Sequence, residues 1–237
     1  MAATLKLLSS MAPREMLAAA ISAYQQGHAG RLEAQAAGGV DVARRIGAGE
    51  AVDIVLLSRD AIDKLVDNGQ LTADSRVDVM ASEIAVAVPA GAAHPNLADE
   101  AAVKAAVANA PSVSYSTGPS GRYLEKLFER WGILDSLRAR IVVPPPGVPV
   151  ARLVAGGQVR LGFQQLSELL GAPGIEIVGR LPAVINEITT FTAALTPHCA
   201  DVAAAREFLS FLSSPDLDAI KHRHGMASPL ILSRMRL

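Results

Sequence analysis

The chain has 237 residues, with 22 Lys and Arg against 23 Asp and Glu, so its formal net charge is -1. That balance excludes a nucleic-acid binder that works by bulk positive charge. Half of the residues are hydrophobic and only 19% are charged, which excludes a disordered chain and a collagen-like repeat. The length fits one large domain or two lobes, and the order of the predicted elements favours two.

No apolar run approaches the roughly 18 residues of a membrane helix, so we expect no membrane insertion. The first residues lack the basic segment, apolar run and cleavage site of a secretory signal. This fits either a cytoplasmic protein or a mature chain whose signal was removed. Cys199 is the single cysteine, which excludes an intramolecular disulfide, and we expect it to act as a small buried hydrophobe.

Short runs of strand-forming residues alternate with helical-period segments, a pattern typical of parallel strands joined by crossover helices. The sequence therefore predicts an α/β fold of two lobes, each with a mixed, mostly parallel sheet flanked by helices. In the first lobe the predicted strands are Leu5–Leu8, Arg31–Ala37 and Asp53–Leu57, and the predicted helices are Met11–Gln25, Val40–Gly47 and Ser58–Asn68.

A near-continuous apolar strand at Ser82–Pro89, followed by a loop rich in Gly, Pro and Asn, marks the crossing into the second lobe. There the predicted strands are Ser112–Tyr115, Arg140–Val143, Val159–Phe163 and Glu176–Val178, and the predicted helices are Asp99–Asn109, Pro119–Trp131, Val148–Ala155 and a short helix from Gln164. Strand Thr189–Leu195 returns the chain to the first lobe, which helices Asp201–Leu212 and Asp216–His222 close. We expect residues 1–84 and 193–237 to form lobe 1 and residues 85–192 to form lobe 2, joined by two hinge crossings.

In α/β sheets the ligand sits outside the carboxyl ends of the strands, so the residues between each strand and the next helix are the candidates for a binding site. Most are small or hydroxyl residues that open helices, whose first-turn N–H groups and partial positive charge favour an anion. Arg59 and Arg122 lie at two of these helix starts and suit a carboxylate or an oxyanion. Taken singly, each Ser or Gly is better explained as a helix cap, and each arginine is equally well explained as a solvated surface charge. The candidate ligand-binding residues are Ser9, Ser10, Met11, Gly38, Gly39, Val40, Ser58, Arg59, Thr117, Ser120, Gly121, Arg122, Val148, Gln164 and Gln165.

Motifs of metal and cofactor enzymes are missing from the sequence. The spacing of His222 and His224 does not match a common zinc pattern, and no Cys or further His lies nearby to complete a site. No P-loop, GxGxxG, GxSxG or HExxH motif is present. We therefore expect neither a metal nor a cofactor.

Four segments resemble the periplasmic molybdate-binding protein family of ABC transporter receptors: Leu7–Ser10, Gly38–Ile46, Ala51–Val55 and Gly118–Tyr123. The similarity covers nearly the whole chain. The resemblance implies the type II periplasmic-binding fold and an extracytoplasmic receptor that closes on a small anion, an organic acid or oxyanion, in the cleft between two lobes. It also implies an ABC transporter permease as partner, a periplasmic location with the signal removed from this chain, and a monomer, since the lobes must move.

Carried over position by position, the family's first oxyanion-binding hydroxyl falls on Ser9 or Ser10, and its second-loop serine falls on Gly38 or Gly39, so a second hydroxyl is missing. The second-lobe contacts fall on Ser120, on Val148 and on Gln165, where the molybdate receptors carry a tyrosine. A tetrahedral oxyanion is held by hydroxyls and N–H groups. This chain offers cationic and amide side chains, which suit a carboxylate better: Arg59, Arg122, Gln164 and Gln165.

The segments at residues 115–121 and 162–168 resemble a divergent branch of this family that is similar to the aconitate isomerases. Isomerisation of aconitate is an allylic proton shift, which needs a base near the ligand's CH2 group and cations on its carboxylates. The candidate bases are Glu168, Asp41 and Glu83, each of which is also well explained as a helix-cap or surface charge. The sequence leaves a solute receptor and an isomerase open, and it disfavours the sensing domain of a regulator because no DNA-binding helix-turn-helix is visible.

Overall fold

The computed structural model describes residues 4–28, 30–145 and 148–229. The chain divides into two compact units: the first combines Met1–Ala81 with Thr189–Leu237, and the second is Ser82–Ile188. The chain thus passes twice from one unit to the other, at 81–82 and at 188–189, where the sequence analysis set the crossings at 84–85 and 192–193. Within the described residues, no helix is both long enough and apolar enough to span a membrane.

Strands and helices alternate along most of the chain. The strands are β1 (Thr4–Ser10), β2 (Arg31–Ala37), β3 (Ile54–Ser58), β4 (Val77–Pro89), β5 (Val113–Tyr115), β6 (Leu161–Gln165), β7 (Ile175–Arg180) and β8 (Ile188–Leu195). The helices are α1 (Arg14–Gly27), α2 (Gly39–Gly47), α3 (Arg59–Asp67), α4 (Glu100–Asn109), α5 (Pro119–Arg130), α6 (Leu134–Leu137), α7 (Val150–Ala155), α8 (Leu166–Leu169), α9 (Val202–Ser213) and α10 (Asp218–Arg223). This order confirms the predicted α/β class.

In the first unit, β1 pairs in parallel with β2 on one side and with β3 on the other, and β3 pairs antiparallel with β8. Side chains alternate across this sheet: Leu7 and Leu56 pack with α1 and α9, whereas Leu8 and Val55 pack with α2 and α3. Both sheet faces are therefore covered, which explains why β3 is buried along its whole length and apolar up to its last residue, Ser58.

A buried carboxylate joins the two chain segments of the first unit. Asp53 is 7% exposed, and its Oδ2 accepts a hydrogen bond from the Lys6 amide at 2.7 Å while its Oδ1 accepts one from the Ala200 amide at 2.8 Å. The bonds tie the amino-terminal strand to the segment that returns after β8. This lets one compact unit form from two distant parts of the sequence.

In the second unit, β4 pairs antiparallel with β6 and β7, and β5 pairs in parallel with β6. One face packs against α4, α5 and α6, with Phe128 and Phe163 at its centre. The other face packs against the short helices α7 and α8. Gly162 of β6 allows α7 to approach, because a Cβ there would lie 2.5 Å from Val154 Cγ2.

The predicted strand Arg140–Val143 is wrong. Residues Arg138–Arg140 form a 3-10 turn, and Ile141 alone makes an isolated bridge to Val113. The Arg140 guanidinium donates to the Ala108 and Ala110 carbonyls and so closes the end of α4. Pro144 and Pro145 follow and lack the N–H groups that a strand ladder needs.

Several predicted boundaries also shift. Helix α1 begins at Arg14 instead of Met11, because the Arg14 amide closes a turn onto the Met11 carbonyl and Pro13 precedes the helix. The predicted helix from Gln164 is a strand up to Gln165, and α8 follows it. Strand β4 begins at Val77, ahead of the predicted Ser82, and helix α7 begins at Val150 instead of Val148. In the segment before α7, Pro146 and Gly147 lie outside the described residues.

Gly121 provides the first test of this fold. A Cβ at this position in the first turn of α5 would lie 1.5 Å from the Ser116 carbonyl oxygen. Gly121→Ala therefore has to displace backbone, and we expect it to lower the free energy of unfolding by roughly 1–3 kcal/mol or more. Gly118→Ala is the control, since its Cβ would meet the Ser116 side chain at an ordinary 3.6 Å. Equal urea midpoints for the two variants would contradict this packing.

Candidate anion-binding site

Ser9 and Ser10, at the end of β1, differ in what their hydroxyls do. Ser9 is 1% exposed, and its Oγ donates to the Ser10 carbonyl at 3.0 Å and is 3.5 Å from the Gln35 carbonyl. The Ser10 Oγ is buried and has no hydrogen-bond partner among residues 4–28, 30–145 and 148–229. An unsatisfied buried hydroxyl carries a desolvation cost, which a bound acceptor removes. Of the two serines, Ser10 therefore has the hydroxyl that is available to a ligand.

The start of α2 lies beside Ser10. A Cβ at Gly39 would sit 3.7 Å from the Ser10 Cβ and 3.9 Å from Leu57 Cδ2, so the ends of β1 and β3 and the first turn of α2 meet at one edge of the sheet. Met11, next along the chain, is half-buried, and Val40 is 68% exposed on the first turn of α2. The Ser10 side chain and the first turn of α2 are therefore neighbours at this edge.

Helices α2, α3 and α5 begin without a side-chain cap. Their N-cap residues are Gly38, Ser58 and Gly118, and none accepts a side-chain bond from its helix within the part of the chain that the structure describes. Asp99 and Asp201, in contrast, cap α4 and α9 by accepting from the Ala102 and Ala204 amides. The first-turn N–H groups of α2, α3 and α5 are not satisfied by a cap and favour an anion.

Arg59, the first residue of α3, is already engaged in an ion pair. Its guanidinium binds Asp78 of β4 at two points, with Nε 3.2 Å from Oδ1 and a shorter contact between Nη2 and Oδ2. Asp78 also accepts from the Thr192 hydroxyl at 2.5 Å. The sequence analysis named Arg59 but missed Asp78 and Thr192, which come from distant strands.

In the second unit, the loop between β5 and α5 holds a pair of hydroxyls. Ser120 is 2% exposed, and its Oγ is 3.0 Å from the Ser116 Oγ. Thr117 and Arg122 are exposed on either side. The close packing of Gly121 on the Ser116 carbonyl fixes the loop against the first turn of α5.

The segment from Gln164 to Glu168 is polar and largely buried. Gln164 and Gln165 are each 3% exposed and Ser167 is 9% exposed. The Gln164 amide donates to Glu168 Oε1 at 2.9 Å, and its own oxygen accepts from the Ala151 amide at 3.4 Å. Gln164 thus holds the Glu168 carboxylate in one orientation and links it to the start of α7.

The two polar segments of the second unit belong to the same sheet edge. Strands β5 and β6 are parallel, with Tyr115 opposite Phe163, so the residues after each strand emerge side by side. Burial, and then the charge of Glu125, raise the pKa of Tyr115 above its ordinary value. Val148 is half-buried, and its amide donates to the Pro145 carbonyl at 3.0 Å.

The three candidate carboxylates have different surroundings. Asp41 forms an exposed ion pair with Arg44 at 2.6 Å. Glu83 pairs with Arg180 at 3.2 Å and accepts from the Asn186 amide at 3.2 Å, while the Asn186 oxygen accepts from the Ile84 amide. Glu168 is the candidate that belongs to the polar segment after β6. It is therefore the carboxylate best placed to accept a proton at that edge.

The sequence analysis did not identify two buried serines, Ser114 and Ser167, as candidate site residues. Ser114 is fully buried and lies opposite Gly162, and the hydroxyls of Ser114 and Ser167 have no hydrogen-bond partner in the described ranges. The local sequence does not identify these serines, because only the folded structure determines whether a serine hydroxyl within a strand or a short helix has a hydrogen-bond partner. Across those same ranges, no three His, Cys, Asp or Glu side chains converge as metal ligands.

The two neighbouring serines of β1 give a direct test of this geometry. Ser10→Ala removes a hydroxyl without an internal partner, so we expect anion affinity to fall by about fivefold to 100-fold while the stability of the ligand-free protein rises slightly. Ser9→Ala removes an internal hydrogen bond, so it should lower the unfolding temperature and leave affinity alone. Calorimetric titration with citrate and with molybdate, beside thermal unfolding, measures both properties. The reverse assignment of effects would identify Ser9 as the ligand hydroxyl.

Comparison with known proteins agrees with this architecture. The chain is 38% identical over 221 residues to an aconitate isomerase from a Pseudomonas species, covering 90% of this chain and 83% of that protein. Its fold matches the periplasmic molybdate-binding protein of Azotobacter vinelandii (TM-score 0.79, 22% identity, 95% and 99% of the two chains). It also matches the sulfate-binding protein SubI of Mycobacterium tuberculosis (TM-score 0.76, 14% identity, 98% and 90%).

These matches confirm the predicted two-lobed periplasmic-binding fold and the predicted resemblance to molybdate-binding proteins. Residues 5–227 match the family described as bacterial extracellular solute-binding protein. With that match over most of its length, the chain belongs to the bacterial extracellular solute-binding protein family.

Proposed function

We propose that this protein binds a small polycarboxylate of the citrate and aconitate class as a solute receptor. The observation that carries the proposal is the buried Ser10 hydroxyl, which has no hydrogen-bond partner in the described ranges and lies beside the start of α2. Hydroxyl and backbone N–H donors bind oxyanions and carboxylates alike. The anionic class therefore follows from the first unit alone.

The carboxylate class is favoured by the cationic and amide side chains. Arg59 opens α3 in the first unit, and in the second unit Arg122 lies in the first turn of α5. A planar guanidinium matches a carboxylate with two parallel hydrogen bonds. The identity of 38% to an aconitate isomerase supports the same ligand class, since both aconitate isomers are tricarboxylates.

The location, the transport partner and the oligomeric state are proposed from the role of the family. We place the protein in the periplasm, where it delivers its ligand to an ABC transporter permease and acts as a monomer. Light scattering after size exclusion tests the last point, and a stable dimer would contradict it.

A thermal-shift screen tests the ligand class. The purified protein is heated with molybdate, tungstate, sulfate, citrate, tricarballylate and each aconitate isomer. A ligand at about 100 times its dissociation constant adds about 2.7 kcal/mol to the stability of the folded state, so we expect a clear rise in unfolding temperature with the tricarboxylates. A rise with molybdate and tungstate alone would contradict the proposal.

Arg122→Ala locates the second-unit contact. We expect this variant to bind citrate at least about tenfold more weakly, because a charge-assisted contact is lost. Arg130→Ala, on the same helix, is the control: Arg130 forms an exposed ion pair with Glu100 at 2.8 Å, so citrate affinity should stay at the wild-type value. Equal affinity in all three proteins would remove Arg122 from the site.

A second candidate function is the cofactor-independent isomerisation of aconitate, and the orientation of Glu168 by Gln164 favours it. Glu168 would take a proton from the ligand's CH2 group, breaking a C–H bond and forming an O–H bond. The electron pair shifts along the allylic system onto the adjacent carboxylate. The same proton, or one exchanged with water, then returns to the other allylic carbon, so the double bond migrates without any co-reactant.

Deuterium incorporation separates the receptor from the enzyme. In D2O the isomerase would exchange label into trans-aconitate, which mass spectrometry detects, and a receptor would not. We expect Glu168→Gln to slow the exchange by about 100-fold or more, whereas Asp41→Asn keeps it, since Asp41 pairs with Arg44 instead. If the wild type neither incorporates deuterium nor converts one aconitate isomer into the other, only the receptor function remains.

A further inference from the structure

The Arg59, Asp78 and Thr192 network lies at the sheet edge that carries Ser10. Ser9 of β1 is opposite Leu56 of β3 in the parallel register, so Ser10 and the residues after Leu57 emerge together. Arg59 is the first residue of α3 after that strand. Because β8 separates β3 from β4 in the sheet, the guanidinium bound to Asp78 extends away from β1 and has to leave Asp78 to contact a carboxylate at Ser10.

Asp78 is the fixed partner of this pair and Arg59 is the movable one. The Asp78 side chain is 35% exposed and accepts a 2.5 Å hydrogen bond from Thr192, which is 2% exposed on β8. The Arg59 side chain is 54% exposed and is long and flexible. The anchored carboxylate stays with the sheet, whereas the guanidinium can turn away from it.

We propose that Asp78 is a specificity-determining residue that competes with the ligand's carboxylate for the Arg59 guanidinium. This inference rests on the proposed binding of polycarboxylates. Exposed ion pairs contribute little to stability, so a multiply charged ligand can draw Arg59 away from Asp78 at small cost. A neutral solute offers no replacement for the carboxylate that Arg59 would give up, and Asp78 therefore discriminates against it.

Isosteric replacement of Asp78 tests the competition. Asp78→Asn keeps an acceptor for the Thr192 hydroxyl but removes the charge that holds Arg59. We expect it to bind citrate and trans-aconitate about threefold to tenfold more tightly than the wild type in calorimetric titrations. Arg59→Ala should bind both more weakly, and the double variant should match Arg59→Ala, because Asp78 acts through Arg59.

Asp63→Asn is the charge-matched control. Asp63 lies further along α3 and pairs with Arg76 in a similarly exposed ion pair, so this variant changes the net charge equally without releasing Arg59. Tighter binding by Asp78→Asn but not by Asp63→Asn supports the inference. Equal affinities for these two variants, or a gain from Asp78→Asn that persists in the Arg59→Ala background, would overturn it.

The wild-type titration separates this inference from the proposed function. If the wild type binds no polycarboxylate, both are overturned together. If it binds citrate and all the variants bind alike, the proposed function stands and the role of Asp78 falls. Thermal unfolding of each variant verifies that it is folded. Should Asp78→Asn unfold, Thr192→Val loosens the same carboxylate while keeping its charge and the side-chain shape, and unchanged citrate affinity in that variant would overturn the inference.

Discussion

Parallel pairing between neighbouring strands is the constraint that positions the candidate residues within each unit. Because β2, β1 and β3 run in one direction, their carboxyl ends meet at a single edge, where Ser10, Gly39 and the start of α3 come together. The register matters as much as the direction. Successive side chains of a strand point to opposite faces, so a slip of one residue would exchange the bonded Ser9 for the unpartnered Ser10. The β5 and β6 pair brings the polar segments of the second unit together in the same way.

Some helix starts have a side-chain cap that accepts a hydrogen bond from the first-turn N–H groups, and others do not. Helices α4 and α9 begin with aspartate caps, whereas α2, α3 and α5 begin at residues that provide no side-chain cap within the described chain. The buried Ser10 hydroxyl, which has no partner in the described ranges, lies beside the uncapped start of α2. Each such group lowers the stability of the ligand-free protein. A bound anion would recover that free energy, which couples binding to stability.

Receptor and isomerase differ here by very few groups. Binding an anion needs hydroxyls, N–H donors and cationic side chains, all of which the strand ends supply. Proton transfer needs in addition a carboxylate held in one orientation, and the contact of Gln164 with Glu168 provides that. A shared fold does not decide between the two functions. In the proposed competition for Arg59, its ion pair with Asp78 adds a further control, because Asp78 would set the availability of Arg59 without touching the ligand.

The sequence by itself determined the α/β class, two crossings between lobes and most helices and strands, because hydrophobic periodicity and turn residues are local signals. The family was indicated separately, by the resemblance of four segments to the molybdate-binding proteins. It also placed the candidate residues at strand ends, although it could not choose between Ser9 and Ser10. The predicted strand at Arg140–Val143 was wrong: the prolines that follow it are a local signal against a strand, whereas the contact of the Arg140 guanidinium with the end of α4 is visible only in the tertiary structure. Only the tertiary structure decided which hydroxyls stay unpartnered, that Asp78 and Thr192 hold Arg59, and that Gln164 orients Glu168. Hydrogen bonds between residues far apart in the chain depend on how the strands pair, and the pairing is fixed only when the whole unit folds.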